Sequence, residues 1–363
     1  MNMDIAIIGQ PQSGKTTLFN ALTRGKADTT GGAGNEMHVG VVKVPDPRLD
    51  TLAKIYKPKK VTPAEIKYWD LPGPESLAKS QGIGGRFRNT LQAADAYLLV
   101  VRSFTNPAVP HPQGNVDPKR DLLAMLSELA FADLEALERT ATRLEDGIKK
   151  AKPAERPVLI RQQEAVQKVR QGIEADTPLR RQTLTESESA AMTNYQLLTG
   201  KPVIVVFNTD ESGPELSFNG LGVDPAVTAG LGQVNACARL EAELALMSDA
   251  EEKEFRQALG QGEPARDRVI QVSYQTLGLI SFLTVGEDEV RAWSIRDGLP
   301  AQQAAGTIHT DFTRGFIRAE VIPYDDLVRC GSTAQGRKEG VLRSEGKTYP
   351  VKDGDVINFL VNV

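Results

Sequence analysis

The chain has 363 residues, enough for two or three domains with a sizeable buried core. Hydrophobic residues make up 40% and charged residues 25%, the balance of a folded protein rather than a disordered one, and a net charge of −4 confines any basic surface to a local patch. Two cysteines and three histidines exclude a disulfide framework and a zinc site, and no apolar run reaches the roughly 18–20 residues of a membrane span.

No basic stretch precedes the first apolar residues, so no signal peptide is read and the chain is expected to be cytoplasmic, with no membrane partner. Asp4-Ile5-Ala6-Ile7-Ile8 is the apolar run of a buried strand, and a Gly/Pro-rich loop separates it from Thr16-Thr17-Leu18-Phe19, which opens a helix. The loop fits G-x-x-x-x-G-K-[ST] at Gly9, Gly14, Lys15 and Thr16. Glycines let the backbone wrap with its N–H groups aimed at phosphate oxygens, and the helix N-terminus adds a partial positive charge. In that pattern Lys15 reaches the β- and γ-phosphates, and the Thr16 hydroxyl holds Mg²⁺.

Strand-like runs follow over 38–44, 64–69 and 96–101. The second leads into Asp70-Leu71-Pro72-Gly73, an acid at a strand end that suits Mg²⁺ and a Gly73 N–H that can sense the γ-phosphate. A further run over 203–207 ends in Asn208-Thr209-Asp210-Glu211, an N-x-x-E where GTP-binding sites carry N-K-x-D. The longer acid and the missing lysine remove the bidentate reading of guanine and favour adenine. The plainer alternative is an Asx turn with no base contact.

Between these motifs the texture is helical. Ala130, Leu134, Leu137, Ala141, Leu144 and Ile148 form one heptad seam; Leu159, Val166, Val169 and Ile173 form a second, with Gln162 in one slot. Pro153 and Pro157 interrupt them, which predicts an antiparallel helical hairpin inserted in the nucleotide domain. Its tip carries Lys149, Lys150, Lys152, Arg156 and Arg161 against Glu155 alone, a patch suited either to phosphate backbone or to plain solvation. From about residue 281 short alternating segments predict a small β-rich domain, with 346–351 and 356–361 read as a terminal hairpin about Lys352-Asp353-Gly354-Asp355. This domain is not basic, and its composition makes no case for RNA.

Taken together, these residues resemble the YchF or Obg-like ATPase family. The likeness extends to Val44-Pro45-Asp46-Pro47-Arg48-Leu49, Lys57-Pro58-Lys59-Lys60, Glu289-Val290-Arg291-Ala292-Trp293, Gly315-Phe316-Ile317-Arg318-Ala319-Glu320 and Asp353-Gly354-Asp355. It implies an α/β P-loop NTPase (G) domain over 1–116 and 199–278, a coiled-coil insertion over 117–198, and a ubiquitin-like β-grasp TGS domain over 279–363. It also implies ATP preferred over GTP, slow Mg²⁺-dependent hydrolysis, and a ribosomal or ribosomal-RNA partner. A monomer is expected.

The expected nucleotide contacts are Gly9, Gln12, Ser13, Gly14, Lys15, Thr16, Thr17, Gly73, Asn208, Thr209, Glu211 and Ala236, with Thr16 and Asp70 toward Mg²⁺. Pro74 stands where Ras-type enzymes carry a water-orienting Gln, and His111 aligns with a family histidine proposed for that role, alongside Lys15. The chain departs from the family pattern at Gln12-Ser13, at Gly34 and His38 in the switch I region (with Thr29 or Thr30 as substitute hydroxyls), and at Asn235-Ala236. Against hydrolysis stands a second reading, a scaffold whose nucleotide only orders the arm; a metabolic kinase leaves the insertion and the tail unexplained.

Overall fold

The computed structural model describes residues 3–25, 27, 37–71, 85–258 and 262–362. Its strands are β1 (Met3–Ile8), β2 (His38–Lys43), β3 (Lys60–Thr62), β4 (Glu65–Asp70), β5 (Ala96–Ser103), β6 (Val203–Thr209), β7 (Gly232–Ala236), β8 (Leu279–Thr284), β9 (Glu289–Arg296), β10 (Phe316–Pro323), β11 (Arg343–Glu345) and β12 (Asp355–Val361). They form two six-stranded sheets, ordered β2-β4-β1-β5-β6-β7 and β11-β10-β12-β8-β9-β3. The chain divides into two compact units, Asp4–Gly40 with Tyr68–Ala265, and Met1–Met3 with Val41–Lys67 and Arg266–Val363.

In the first unit β1, β5, β6 and β7 run parallel, with Ile5 opposite Ala96, Tyr97 opposite Val203 and Ile204 opposite Gly232. Central parallel strands are covered on both faces, which is why β5 and β6 read as unbroken apolar runs rather than alternating ones. Residues Val203, Ile204, Val205, Val206 and Phe207 are all fully buried. Helices α1 (Lys15–Thr23), α3 (Gly85–Ala93), α4 (Pro118–Lys150) and α5 (Arg156–Glu174) belong to this unit, whereas α2 (Pro47–Tyr56) belongs to the second.

Helix α4 has two jobs along its 33 residues. Its first turns, from Leu122 through Met125 and Leu129 to Ala132, pack with Tyr97, Leu99 and Val101 in the core of the first sheet. Beyond them Leu137 and Leu144 meet Val166, Val169 and Ile173 of α5, the seam the heptad spacing predicts. Ala165 and Met192 join that seam, and the spacing did not mark them. At its root the buried Asp133 carboxylate accepts the Leu198 and Thr199 N–H groups at 2.8 and 2.7 Å, tying the returning chain to α4.

The second unit is a β-grasp. The β8–β9 hairpin is antiparallel, β12 lies parallel to β8 with Val356 opposite Leu283, and β10 pairs antiparallel with β12. Ala301, Ala304 and Ala305 of the helix Ala301–Ile308 fill the core with Phe282, Ile295 and Ile357.

Two expectations need correcting here. The terminal hairpin does not form: 346–351 holds no strand, only an isolated bridge from Pro350 to Pro300, and β12 pairs with β10 and β8 instead. Pro350 has no N–H to offer a ladder. The turn after it is held by side chains, Asp355 accepting Lys352 N–H and the Tyr349 hydroxyl at 2.9 and 2.8 Å. Second, Val41–Lys67 gathers with the β-grasp, although the motif order groups it with the nucleotide domain. β3 pairs parallel with β9, and Arg48 reaches the Asp353 carboxylate at 2.8 Å while also bonding Asp46, the N-cap of α2. Gly354, at φ +80°, allows this turn, because a Cβ there would press on Arg48 Nη1 at 3.0 Å.

Candidate nucleotide-binding site

The loop between β1 and α1 is built by backbone conformations that few residues tolerate. Gly9 has φ +150° and Gly14 φ +93°. A Cβ on Gly9 would collide with the Val100 carbonyl oxygen of β5, and one on Gly14 would collide with the Asn208 amide. Gln12 also lies in the left-handed region, at φ 59°, on the exposed outside of the loop. Gly14 is the N-cap of α1 and supplies no side-chain cap, so the first helical N–H groups, those of Lys15 and Thr16 among them, are left for an anion.

Lys15 is buried, and its ammonium bonds the Gly9 and Gln10 carbonyls at 3.1 and 2.9 Å. Burial pushes its pKa down to about 8, with Asp70 opposing the shift. Asp70 ends β4, buried at 2% exposure, and desolvation raises its carboxyl above the usual range while bonds from Thr16 and the charge of Lys15 pull the other way. Its Oδ1 has no hydrogen-bond partner among the described residues, and its Oδ2 lies 3.5 Å from His38 Nδ1. A buried, partnerless carboxylate oxygen beside a threonine hydroxyl is a hard-oxygen donor pair of the kind Mg²⁺ takes together with phosphates. The residues fit that ion.

Asn208, at the end of β6, braces the loop. Its amide donates to Ser13 O at 2.9 Å, and its Oδ1 accepts the Ala238 N–H at 3.0 Å. The structure thus brings residues 9–17, Asp70 and 208 together. Thr209 is half-buried and Glu211 exposed next to Asn208; Ala236 is buried at the end of β7. Asn235 is turned away, its side chain exchanging hydrogen bonds with the Leu216 backbone. Ser13 is almost wholly buried, and its hydroxyl has no partner among the described residues. Gly73, Pro74, Gly34, Thr29 and Thr30 lie outside the described residues.

Two contacts escaped the motif reading. The Phe104 ring, just past β5, comes within 3.9 Å of the Cβ position at Gly14, and the Arg102 guanidinium lies over it at 4.6 Å. No motif marks an aromatic there; an aromatic directly after a buried strand is the one available sign. His38 faces Asp70 only because β2 and β4 share a sheet.

His111 is buried at 6% exposure, in the loop between β5 and α4. Its Nδ1 accepts the Gln113 N–H at 3.1 Å, and its Nε2 lies 2.8 Å from Asp121 Oδ2. An accepting Nδ1 leaves the Nε2 proton to face the Asp121 carboxylate, so both nitrogens are engaged.

The chain is similar to known proteins along its whole length. Residues 4–139 match a family model described as a 50S ribosome-binding GTPase, and 279–362 match the model for the C-terminal region of YchF GTPases, described as a protein of unknown function. The chain is 36% identical over 370 residues to the ribosome-binding ATPase YchF of Bacillus subtilis and 39% identical over 374 residues to that of Escherichia coli O157:H7, each covering 100% of both chains. It is also similar to the solved structure of the Schizosaccharomyces pombe YchF GTPase, with TM-score 0.85, 30% identity, and 99% of this chain and 98% of that one covered. A chain that aligns from end to end at this identity, with both domains matched, belongs to the YchF family.

Proposed function

We propose that this protein is a nucleotide-hydrolysing switch that binds ATP in preference to GTP with Mg²⁺, hydrolyses it slowly, and acts on the ribosome. The observation that carries the reading is the cradle itself: Gly9 and Gly14 in conformations that bring main chain up to the ligand, an uncapped α1 N-terminus, and the Lys15 ammonium buried across the loop. Thr16 and Asp70 would hold Mg²⁺, which neutralises phosphate charge when bound. Lys15 would exchange its two carbonyl partners for phosphate oxygens. Asn208 keeps the base side of the loop in place, Glu211 replaces the shorter acid that reads guanine, and the Phe104 ring offers a flat face for either base.

His111 is the group proposed to orient the attacking water. The basic tip of the arm, where Lys149, Lys150, Lys152 and Arg156 are all exposed, would meet ribosomal RNA. A non-hydrolysing scaffold is the second reading, and the engagement of both His111 nitrogens favours it.

Titration calorimetry with Mg·ATP and Mg·GTP, together with single-turnover phosphate release, tests both. Binding with phosphate release above the enzyme-free blank supports hydrolysis. Binding without release supports the scaffold. No binding of either nucleotide rejects the site.

A further inference from the structure

The loop that carries His111 leaves the C-terminal end of β5, the end of an open parallel sheet at which ligands bind, and runs to the start of α4. It is fastened at successive points. The Thr105 N–H bonds Asp210 at 3.2 Å, the Val109 carbonyl accepts from Arg102 at 2.7 Å, and Asn115 is clasped twice by Arg120, at 2.9 and 2.8 Å. At the centre stands the His111–Asp121 contact at 2.8 Å, with Arg120 Nε donating to the other Asp121 oxygen at 2.9 Å. Asp121 itself is 2% exposed, on the first turn of α4.

A histidine in this arrangement has no lone pair for water. Nδ1 accepts from Gln113, and Nε2 spends its proton on a carboxylate. We infer that Asp121 is a positioning residue that stores His111 with its proton on Nε2, so that hydrolysis waits on the His111–Asp121 contact opening: the released proton can then move to Nδ1 as the ring leaves the Gln113 N–H, which puts a lone pair on Nε2 for water. This rests on the reading of His111 as the water-orienting group. The bond to Asp121 is charge-assisted and buried, stronger than a neutral hydrogen bond. Opening it therefore limits the population of competent enzyme, and a partner that favours the released loop raises the rate without touching the phosphates.

The test is single-turnover phosphate release from Mg·ATP by the full chain and by Asp121→Ala, Asp121→Asn, His111→Ala and the His111→Ala/Asp121→Ala double variant. ATP affinity and thermal unfolding are measured alongside, and imidazole ¹⁵N shifts of His111 are recorded. Asp121→Ala is expected to hydrolyse about tenfold faster than the parent, the factor by which losing one charge-assisted bond enlarges the released population. Asp121→Asn, which keeps an acceptor but loses the charge, is expected to show a smaller rise. The rise must vanish in the double variant, and the ¹⁵N shifts must move from the Nε2–H tautomer toward a mixture.

If His111→Ala hydrolyses as fast as the parent, the role given to His111 fails and this inference falls with it. If His111→Ala is slow while Asp121→Ala binds ATP normally and hydrolyses at or below the parent rate, Asp121 only builds the loop and this inference alone is overturned. Should Asp121→Ala fail to fold, Asp121→Asn decides by the same comparison: an unchanged rate with an unchanged tautomer overturns the proposal.

Discussion

Raising the pH should weaken nucleotide binding through Lys15. Its ammonium sits under the loop, bonded among the described residues to the Gly9 and Gln10 carbonyls, and burial brings its pKa to about 8, from 10.5. At pH 7 about nine-tenths of the nucleotide-free protein carries the charge; at pH 9 about one-tenth does. A triphosphate selects the charged form, so the dissociation constant for Mg·ATP should rise about tenfold between those two values, about 1.4 kcal/mol. The phosphates are fully ionised above pH 7 and add no slope of their own there. Stability has the opposite sign. The unfolded lysine still titrates near 10.5, so folding expels a proton between about pH 8 and 10.5, and the nucleotide-free protein should become more stable as pH rises through that window. Calorimetric titrations at pH 7, 8 and 9 measure the first effect, and thermal unfolding without ligand measures the second. Adenosine, which lacks phosphates, serves as control and should show no such slope. A dissociation constant for Mg·ATP that changes less than about twofold over the range would refute the placement of Lys15.

Lys15→Ala should lower ATP affinity by about 2–5 kcal/mol, the cost of removing one partner of a buried charged contact, and equilibrium binding at fixed pH reads it directly. Arg48→Met should cost about 1.5–3 kcal/mol in urea unfolding, since it strips the charged partner from Asp46 and Asp353 together, while leaving nucleotide affinity unchanged. Leu137→Ala, at a fully buried position of the arm seam, should destabilise by about 2–5 kcal/mol in thermal or urea unfolding. Reversing Lys149, Lys150 and Lys152 to Glu should weaken ribosome binding and flatten its dependence on salt; sedimentation with ribosomes over a salt series would expose an unchanged slope.

Local order made much of this protein legible. The phosphate loop could be read because strand, glycine loop and helix follow one another within residues 4–22, and each glycine leaves room that a Cβ would fill, for the Val100 carbonyl at Gly9 and the Asn208 side chain at Gly14. The arm could be read because a heptad seam repeats a short-range spacing, and α4 and α5 reproduce it through Leu137, Leu144, Val166 and Val169. The apolar runs of β5 and β6 marked strands, and the structure shows why they are unbroken: both lie buried in the middle of a parallel sheet. What spacing could not carry is pairing across long stretches of chain. Arg48 and Asp353 lie in motifs that each stand out alone, yet only the folded chain brings them to 2.8 Å. The same holds for the last strand, whose partners are β10 and β8 rather than the segment just before it. It holds most of all for His111: sequence supplied a histidine of plausible role, and tertiary structure decided that Asp121 and the Gln113 backbone occupy both of its nitrogens. Sequence fixes covalent neighbours and their periodicity, whereas hydrogen-bond partners are chosen by whichever groups burial leaves with no water to turn to.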